Sequence, residues 1–74
     1  MTNRYYLDFV AEDRSDWRYL VLTARGMLRF DHGAWRRLPT AVGDDYLRRI
    51  AHGSDIGIVT LGELHEAGVP EIAN

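Results

Sequence analysis

The sequence contains no cysteine and no lysine. Without cysteine the chain has neither disulfide bonds nor thiolate zinc sites. The three histidines, His32, His52 and His65, do not have the spacing of a metal site. We therefore expect no metal, no cofactor, and a fold that depends on its own small core.

The missing lysine means that all nine basic residues are arginine. The planar guanidinium group pairs with carboxylates and phosphates and stacks on rings, so arginine is favoured at interfaces. Codon usage in a GC-rich genome produces the same bias, and the scatter of the arginines along the chain favours that explanation. The arginine excess by itself therefore assigns no function.

Long apolar runs are also missing. The longest uncharged apolar stretch, IGIVTLG at residues 56–62, is far too short to cross a bilayer. The N-terminus, MTNRYYLDF, lacks the basic region and apolar run of a secretory signal. With 46% hydrophobic residues, the chain is predicted to be a single soluble, cytoplasmic domain, residues 1–74, with no membrane contact.

No group of residues resembles a catalytic site. Ser15 and Ser54 lack the histidine pattern that would activate a nucleophile. Asp44 and Asp45 are adjacent on a predicted helix, where neighbouring side chains point about 100° apart, so they do not form a facing carboxylate pair. We therefore expect a protein that is not an enzyme.

Alternation of apolar and polar residues predicts three strands in the first half, at residues 4–10, 17–24 and 27–31, and residues 34–38 form a fourth strand or a short return arm. The second of these is apolar on both faces, which is typical of a central strand covered on each side. Before the fourth strand, His32 and Gly33 are suited to a tight turn with positive φ.

The second half changes to a helical period. Apolar residues at helical spacing predict a helix over residues 40–52, with Thr40 as N-cap and Gly53 as C-cap. Residues 55–59 predict another buried strand, and Thr60 with Glu63 has the capping-box arrangement of a two-turn helix that ends at Gly68. This order indicates an α+β domain: an antiparallel three- to four-stranded sheet followed by α-β-α, with the helices packed on one sheet face.

Charge is divided along the chain. Residues 1–40 carry a balance of +2 and residues 41–74 a balance of −4, and such asymmetry can mark a surface that faces a charged partner. If both helices pack on the same sheet face, the acids of the second half share one surface that imitates a phosphate backbone. An ordinary solvated helix face explains the same charges. The predicted partner-binding residues are Asp44, Asp45, Asp55, Glu63, Glu66 and Glu71.

The stretch LRFDHGAWRRLP, residues 28–39, mixes arginine with aromatic residues, as single-stranded nucleic-acid surfaces do. Alternation places Trp35 and Arg37 on one face and Arg36 on the other, so the arginines are divided. A net charge of −2 also disfavours direct nucleic-acid binding. We expect Trp35 to anchor the core or its rim, and Arg36 or Arg37 to serve a protein interface. The residues of this alternative interface are Arg29, Trp35, Arg36 and Arg37.

The run VTLGELHEAGVPEI, residues 59–72, resembles the first helix and turn of a helix-turn-helix DNA-binding domain. In that fold a second, recognition helix follows and enters the major groove. Only five residues follow Val69 here, and a plain capped helix explains the same residues.

In size, composition and fold style the whole chain resembles the type I anti-CRISPR inhibitors among the small proteins of phages and mobile elements. The resemblance implies a non-enzymatic inhibitor that binds a CRISPR effector subunit in the host cytoplasm and blocks DNA access, often by DNA mimicry. The acidic half would then be the contact surface. Two alternatives stay open: a nucleic-acid-associated accessory module that uses the arginine-rich hairpin, and an antitoxin-like or bridging protein that forms a homodimer through a sheet edge.

Overall fold

The computed structural model describes residues 3–9, 13, 17–53 and 55–72. Its strands are β1 (Arg4–Asp8), β2 (Arg18–Thr23), β3 (Gly26–Asp31), β4 (Ala34–Arg37) and β5 (Ile56–Val59), and its helices are α1 (Thr40–His52) and α2 (Leu61–Glu66). The predicted extension of the first strand to Val10 lies outside the described residues. The predicted order of elements is confirmed. Neither helix in this part of the chain has the length and apolar character needed to cross a membrane.

The five strands form one antiparallel sheet in the order β4-β3-β2-β1-β5. Tight turns join β2 to β3 and β3 to β4, so neighbours along the chain are neighbours in the sheet. The α1 helix then carries the chain from β4 at one edge to β5 at the other, where β5 pairs with β1. The α+β class is confirmed, and the sheet gains a fifth strand where three or four were expected.

The register divides the side chains between two faces of the sheet. On β2, Leu20 and Val21 point to opposite faces and both are fully buried, which confirms β2 as a central strand covered on each side. One face carries a cluster whose buried members are Tyr6, Leu20, Met27, Tyr46 and Ile56. The other carries a cluster whose buried members are Tyr5, Val21, Val59, Leu64 and Val69.

The two helices contribute to opposite faces of the sheet, so the expectation that both pack on one face is wrong. Tyr46 of α1 belongs to the cluster around Leu20, whereas Leu64 of α2 belongs to the cluster around Val21. Because the central strand is apolar on both sides, each face has to be covered, and one helix serves each. We call these the α1 face and the α2 face.

Three local predictions about turns and helix ends are confirmed. His32 and Gly33 have φ of 51° and 79°, as the tight turn between β3 and β4 requires. Gly53 ends α1 in the left-handed region at φ 69°. The Thr60 hydroxyl accepts a hydrogen bond from the Glu63 N–H, and the Glu63 carboxylate accepts one from the Thr60 N–H, which forms the capping box of α2.

The start of α1 differs from the prediction. Pro39 occupies the N-cap position and no side chain caps the helix, so Thr40 is its first residue and not its cap. Gly43 lies inside the helix and close to β3, since a Cβ on it would stand 3.6 Å from the Met27 Cβ. Asp44 and Asp45 fall beyond the first turn, which contains no acidic residue. They therefore gain little from the helix dipole, whose effect fades within that turn.

Candidate functional site

The arginine-rich hairpin does not form a basic surface, because its arginines are divided between the two faces. Arg29 lies opposite Arg36 on the α1 face, and Arg37 lies opposite Leu28 on the α2 face. This is the division that alternation predicts. Arg37 also lines a cleft of about 300 Å³ beside the start of α1, together with Arg25 and the acidic Asp44. The hairpin therefore offers no continuous basic groove.

Arg29 is committed to contacts within the fold. Its Nε donates to the Asp31 carboxylate at 2.8 Å and its Nη1 to the Tyr46 hydroxyl at 3.5 Å. Hydrogen bonds to Tyr46 and Asp31, in that order of size, raise the pKa of the Arg29 guanidinium. Arg18 pairs with the same carboxylate at 3.0 Å. Arg29 thus joins β3 to α1, and sequence reasoning missed it because its partner Tyr46 lies far along the chain.

A second ion pair joins α1 to β1 on the same face. Arg49 donates to both oxygens of the Asp8 carboxylate, at 3.0 and 3.4 Å, and its guanidinium carbon lies 5.3 Å from the centre of the Tyr46 ring. Burial alone would lower the pKa of Arg49, but the hydrogen bond and charge of Asp8 outweigh it and raise that pKa. These contacts position the helix on the sheet and leave Arg49 fully occupied.

The Asp31 carboxylate is the acid-sensitive point of the α1 face. Burial alone would raise its pKa, but the hydrogen bond from Arg29 and the charges of Arg29 and Arg18 lower it below the ordinary carboxyl value. A carboxyl whose pKa is lower in the folded chain stabilises the fold above the unfolded pKa. That contribution is lost as the pH falls through the folded pKa.

We predict that Asp31→Asn removes this part of the acid dependence of stability. At neutral pH it should lower the free energy of unfolding by no more than about 1 kcal/mol, because both arginines are partly exposed. Urea unfolding at neutral pH and in acid measures both effects. Asp45→Asn is the control, since its carboxylate pairs with Arg48 on the exposed helix surface at 3.6 Å. An Asp31→Asn protein that keeps the wild-type pH dependence would contradict the prediction.

Trp35 serves the rim of the core on the α2 face. Its ring lies 5.2 Å from Phe30 and 5.9 Å from Tyr5, centre to centre. Its indole Nε1 donates to the Pro70 carbonyl at 2.9 Å, and the Ile72 N–H donates to the Tyr5 hydroxyl at 3.0 Å. Trp35 and Tyr5 therefore hold the segment after α2 against the sheet.

A continuous row of large apolar side chains crosses the α2 face beside that segment. Leu7 is paired with Tyr19, and Phe30 with Trp35. Tyr19 and Phe30 each stand one residue beyond the paired Leu20 and Arg29, so they are also neighbours across the strands. Next to this row the Phe9 and Trp17 rings meet at 6.2 Å. Phe9 is 43% exposed and the others are half-buried. We call this the aromatic surface: Leu7, Phe9, Trp17, Tyr19, Phe30 and Trp35.

The predicted acidic surface is not assembled as expected. All six acids are exposed. Asp44 and Asp45 belong to α1, whereas Glu63, Glu66 and Glu71 belong to α2 and the segment after it, and Asp55 directly precedes β5. Because the helices cover opposite faces, these groups do not share one side of the molecule. Glu63 is engaged in the capping box, and Glu71 pairs with His65 at 3.3 Å.

Within the described residues no strand pairs with the outer edge of β5, which we call the free edge, and the sequence reasoning did not single it out. Ile58, in the middle of the strand, is 82% exposed, although Ile56 and Val59 beside it are buried. A cleft of about 290 Å³ adjoins it, and its lining includes Arg4, Tyr6 and Leu61. The apolar run was visible in the sequence, but only the sheet order shows that it forms an edge.

No family model, curated protein or solved structure significantly matches this chain. Within the described ranges, no three histidine, aspartate or glutamate side chains are grouped to hold a metal ion. The two candidate nucleophiles, Ser15 and Ser54, lie outside those ranges. Function is therefore inferred from the surfaces above.

Proposed function

We propose that this chain is a non-enzymatic protein-binding module that acts by occupying the surface of a partner protein. The aromatic surface carries the proposal. Tyrosine, tryptophan and phenylalanine are enriched in the centres of protein interfaces, and alanine substitution of such side chains often causes the largest losses of affinity. Tyr19, Phe30 and Trp35 stand on paired strands that fix their positions, so little order has to be gained there on binding.

A protein partner fits this surface better than a single-stranded nucleic acid. Stacking surfaces for bases combine aromatic rings with a basic groove that follows the phosphates. The hairpin contributes only Arg37 to this side of the sheet, because Arg29 and Arg36 stand on the other. The net charge of −2 also opposes phosphate binding.

The specific form of the proposal is inhibition of a type I CRISPR effector, with an effector subunit as the partner. Support for that partner comes from the resemblance in size, composition and fold style. The contact proposed here differs from the acidic surface expected from the sequence. The acids are divided between the two sides of the sheet, so DNA mimicry would have to rely on one small group of them. These groups are Asp44 and Asp45 on α1, and Glu63, Glu66 and Glu71 on α2 and the segment after it. The row of apolar side chains in the aromatic surface is, by contrast, continuous on one face of the sheet.

The test is binding of purified type I effector complexes to the immobilised chain. Phe9→Ser should weaken binding at least about tenfold, which corresponds to about 1.4 kcal/mol, because an exposed ring is lost from the contact. Val42→Ser is the matched control: Val42 is 38% exposed, close to the 43% of Phe9, but it stands on α1. Circular dichroism should show both variants folded.

Salt dependence separates the aromatic contact from an acidic one. Binding through the aromatic surface should change little between low and high salt, whereas charge-based binding weakens strongly. The double variant Asp44→Arg with Glu63→Arg should leave aromatic binding nearly intact and abolish binding by mimicry. If no effector complex binds the chain and targeting in cells is unimpaired, the inhibitor form of the proposal is overturned. If the charge reversal alone abolishes binding, the acids are the contact.

A further inference from the structure

We infer that β5 is a homodimerisation site, where a second copy of this chain pairs its own β5 antiparallel to the first and extends the sheet across the two-fold axis. The edge of β5 adjoins the aromatic surface at Phe9, but the inference does not depend on the proposed partner contact. It rests on the direction of the backbone groups of β5, on the residues of the strand, and on the register that two-fold symmetry allows.

The backbone of β5 directs away from β1 hydrogen-bonding groups that pair with no other described residue. The Phe9 N–H donates to the Asp55 carbonyl at 3.2 Å, so Asp55 directs its carbonyl toward β1. In an antiparallel ladder this direction alternates along the strand. Gly57 and Val59, opposite Leu7 and Tyr5, therefore also face β1. The N–H and C=O groups of Ile56 and Ile58 point to the free edge.

The strand also lacks the features that keep edge strands from pairing. Natural edges carry charged residues, proline or bulges that prevent association. The opposite edge of this sheet, β4, carries Arg36 and Arg37 and is followed by Pro39. The sequence of β5, IGIV, has no charge and no proline, and its Ile58 is 82% exposed. A partner strand at β5 would cover part of the Ile58 side chain, and removing this apolar area from water favours the pairing.

Two-fold symmetry restricts the pairing of β5 with itself to two central registers. The two strands must keep their side chains on matching faces, so one residue lies opposite itself, and in the middle of the four-residue strand that residue is Ile58 or Gly57. The first register depends on Thr60 for its outer hydrogen bonds. Thr60 is already committed, since its N–H donates to Glu63 Oε1 at 3.2 Å and its carbonyl accepts from the Leu64 N–H at 3.0 Å.

The register centred on Gly57 uses every free group of the edge. It pairs Ile56 of each copy with Ile58 of the other. Each of these two pairs exchanges two backbone hydrogen bonds. Each exposed Ile58 then lies beside an Ile56 on the same face. The uncharged strand and its self-matching pattern therefore fit a second copy.

The charges beside β5 do not oppose this register. With Gly57 at the centre, Asp55 of the second copy lies opposite the apolar Val59, so the register brings no two described charges of the same sign into direct opposition.

The first test is the mass of the chain in solution from low micromolar to millimolar concentration, measured by sedimentation equilibrium. We expect a concentration-dependent dimer. Ile58→Lys should give a folded monomer, because it places a charge at the centre of the edge and removes an already exposed side chain. Val42→Lys, which places the same charge at an exposed position of α1, should still dimerise. A wild-type monomer at every concentration, or a dimer that survives Ile58→Lys, overturns the inference.

Cysteine cross-linking tests the register, and the cysteine-free sequence gives it a clean background. Directly opposed residues at a position without hydrogen bonds have Cα atoms about 4.5 Å apart, within disulfide range. Gly57→Cys should therefore cross-link rapidly in mild oxidant, although its Cβ would stand 3.1 Å from the Phe9 ring, whose outer edge has to move slightly. Ile58→Cys should cross-link slowly, and the reverse order overturns the register.

These outcomes are distinguishable from those of the proposed function. A chain that is monomeric but binds its partner through the aromatic surface overturns the dimer and leaves the partner contact intact. A monomer whose binding to an effector is abolished by Ile58→Lys shows that another protein, and not a second copy, occupies the edge.

Discussion

Leu20→Ala is expected to lower the free energy of unfolding by about 3 kcal/mol. Leu20 is fully buried at the centre of β2, and on the α1 face it packs with Tyr6, Met27 and Tyr46. Truncation removes its apolar contacts and leaves a cavity that the paired strands on either side cannot close. A domain of this size has a total stability of only about 5 kcal/mol, so most of it is lost. Urea unfolding followed by circular dichroism measures the change.

Leu47→Ala is the matched control for Leu20→Ala. It makes the same chemical change on α1, at a side chain that is exposed. We expect a loss below about 1 kcal/mol, since little apolar area leaves the core. Equal losses in the two variants would show that the α1 face lacks a well-packed centre at Leu20.

Features that depend on a few consecutive residues were predictable from the sequence. The turn at His32 and Gly33 follows from the few residue types that accept positive φ. The capping box follows from Thr60 and Glu63 at fixed spacing. The alternation of side chains along a strand is equally local. It is enough to predict that Arg36 and Arg37 lie on opposite faces of the sheet, as the register confirms.

Features that depend on contacts between distant segments were not predictable. The order of apolar and polar residues within a segment indicates neither that β5 pairs with β1 nor on which face of the sheet α2 packs. Leu61 and Leu64 stand three residues apart, a spacing that favours one helix face, yet only Leu64 is buried, and Leu61, at the first position of α2, is 48% exposed. Spacing predicts a helix face and leaves open which part of that face meets the sheet.

The same distinction explains why the acidic surface was predicted from the sequence but is not formed, and why the aromatic surface was not predicted. The charge balance of the second half suggested one acidic surface. In the structure its acids lie apart, because α1 and α2 pack on opposite faces of the sheet. The aromatic surface depends on register: Tyr19 and Phe30 stand eleven positions apart in strands that are neighbours in the sheet, and each is ordinary within its own strand. Composition suggests which side chains are available for binding, and only the pairing of strands brings them together.

Leu64→Ala is expected to lower the free energy of unfolding by about 3 kcal/mol and to release the segment after α2 from the sheet. Leu64 is the only fully buried side chain of α2 and packs among Tyr5, Val21 and Val69 on the α2 face. A helix of six residues is too short to persist without tertiary contacts. Its loss should therefore also break the hydrogen bond from Trp35 to Pro70.

Two measurements separate this release from general unfolding. In Leu64→Ala the Trp35 indole N–H signal should move and the Ile72 amide should exchange fast with solvent, because the Tyr5 hydroxyl no longer accepts from it. The strand amides of β2 and β3 should stay more protected than Ile72. Leu61→Ala, on the same helix at a half-exposed side chain, should leave both signals nearly unchanged. Two results would contradict the prediction: Leu61→Ala releases the segment equally, or Leu64→Ala leaves the segment in place. Either would show that Leu64 does not hold this segment against the α2 face.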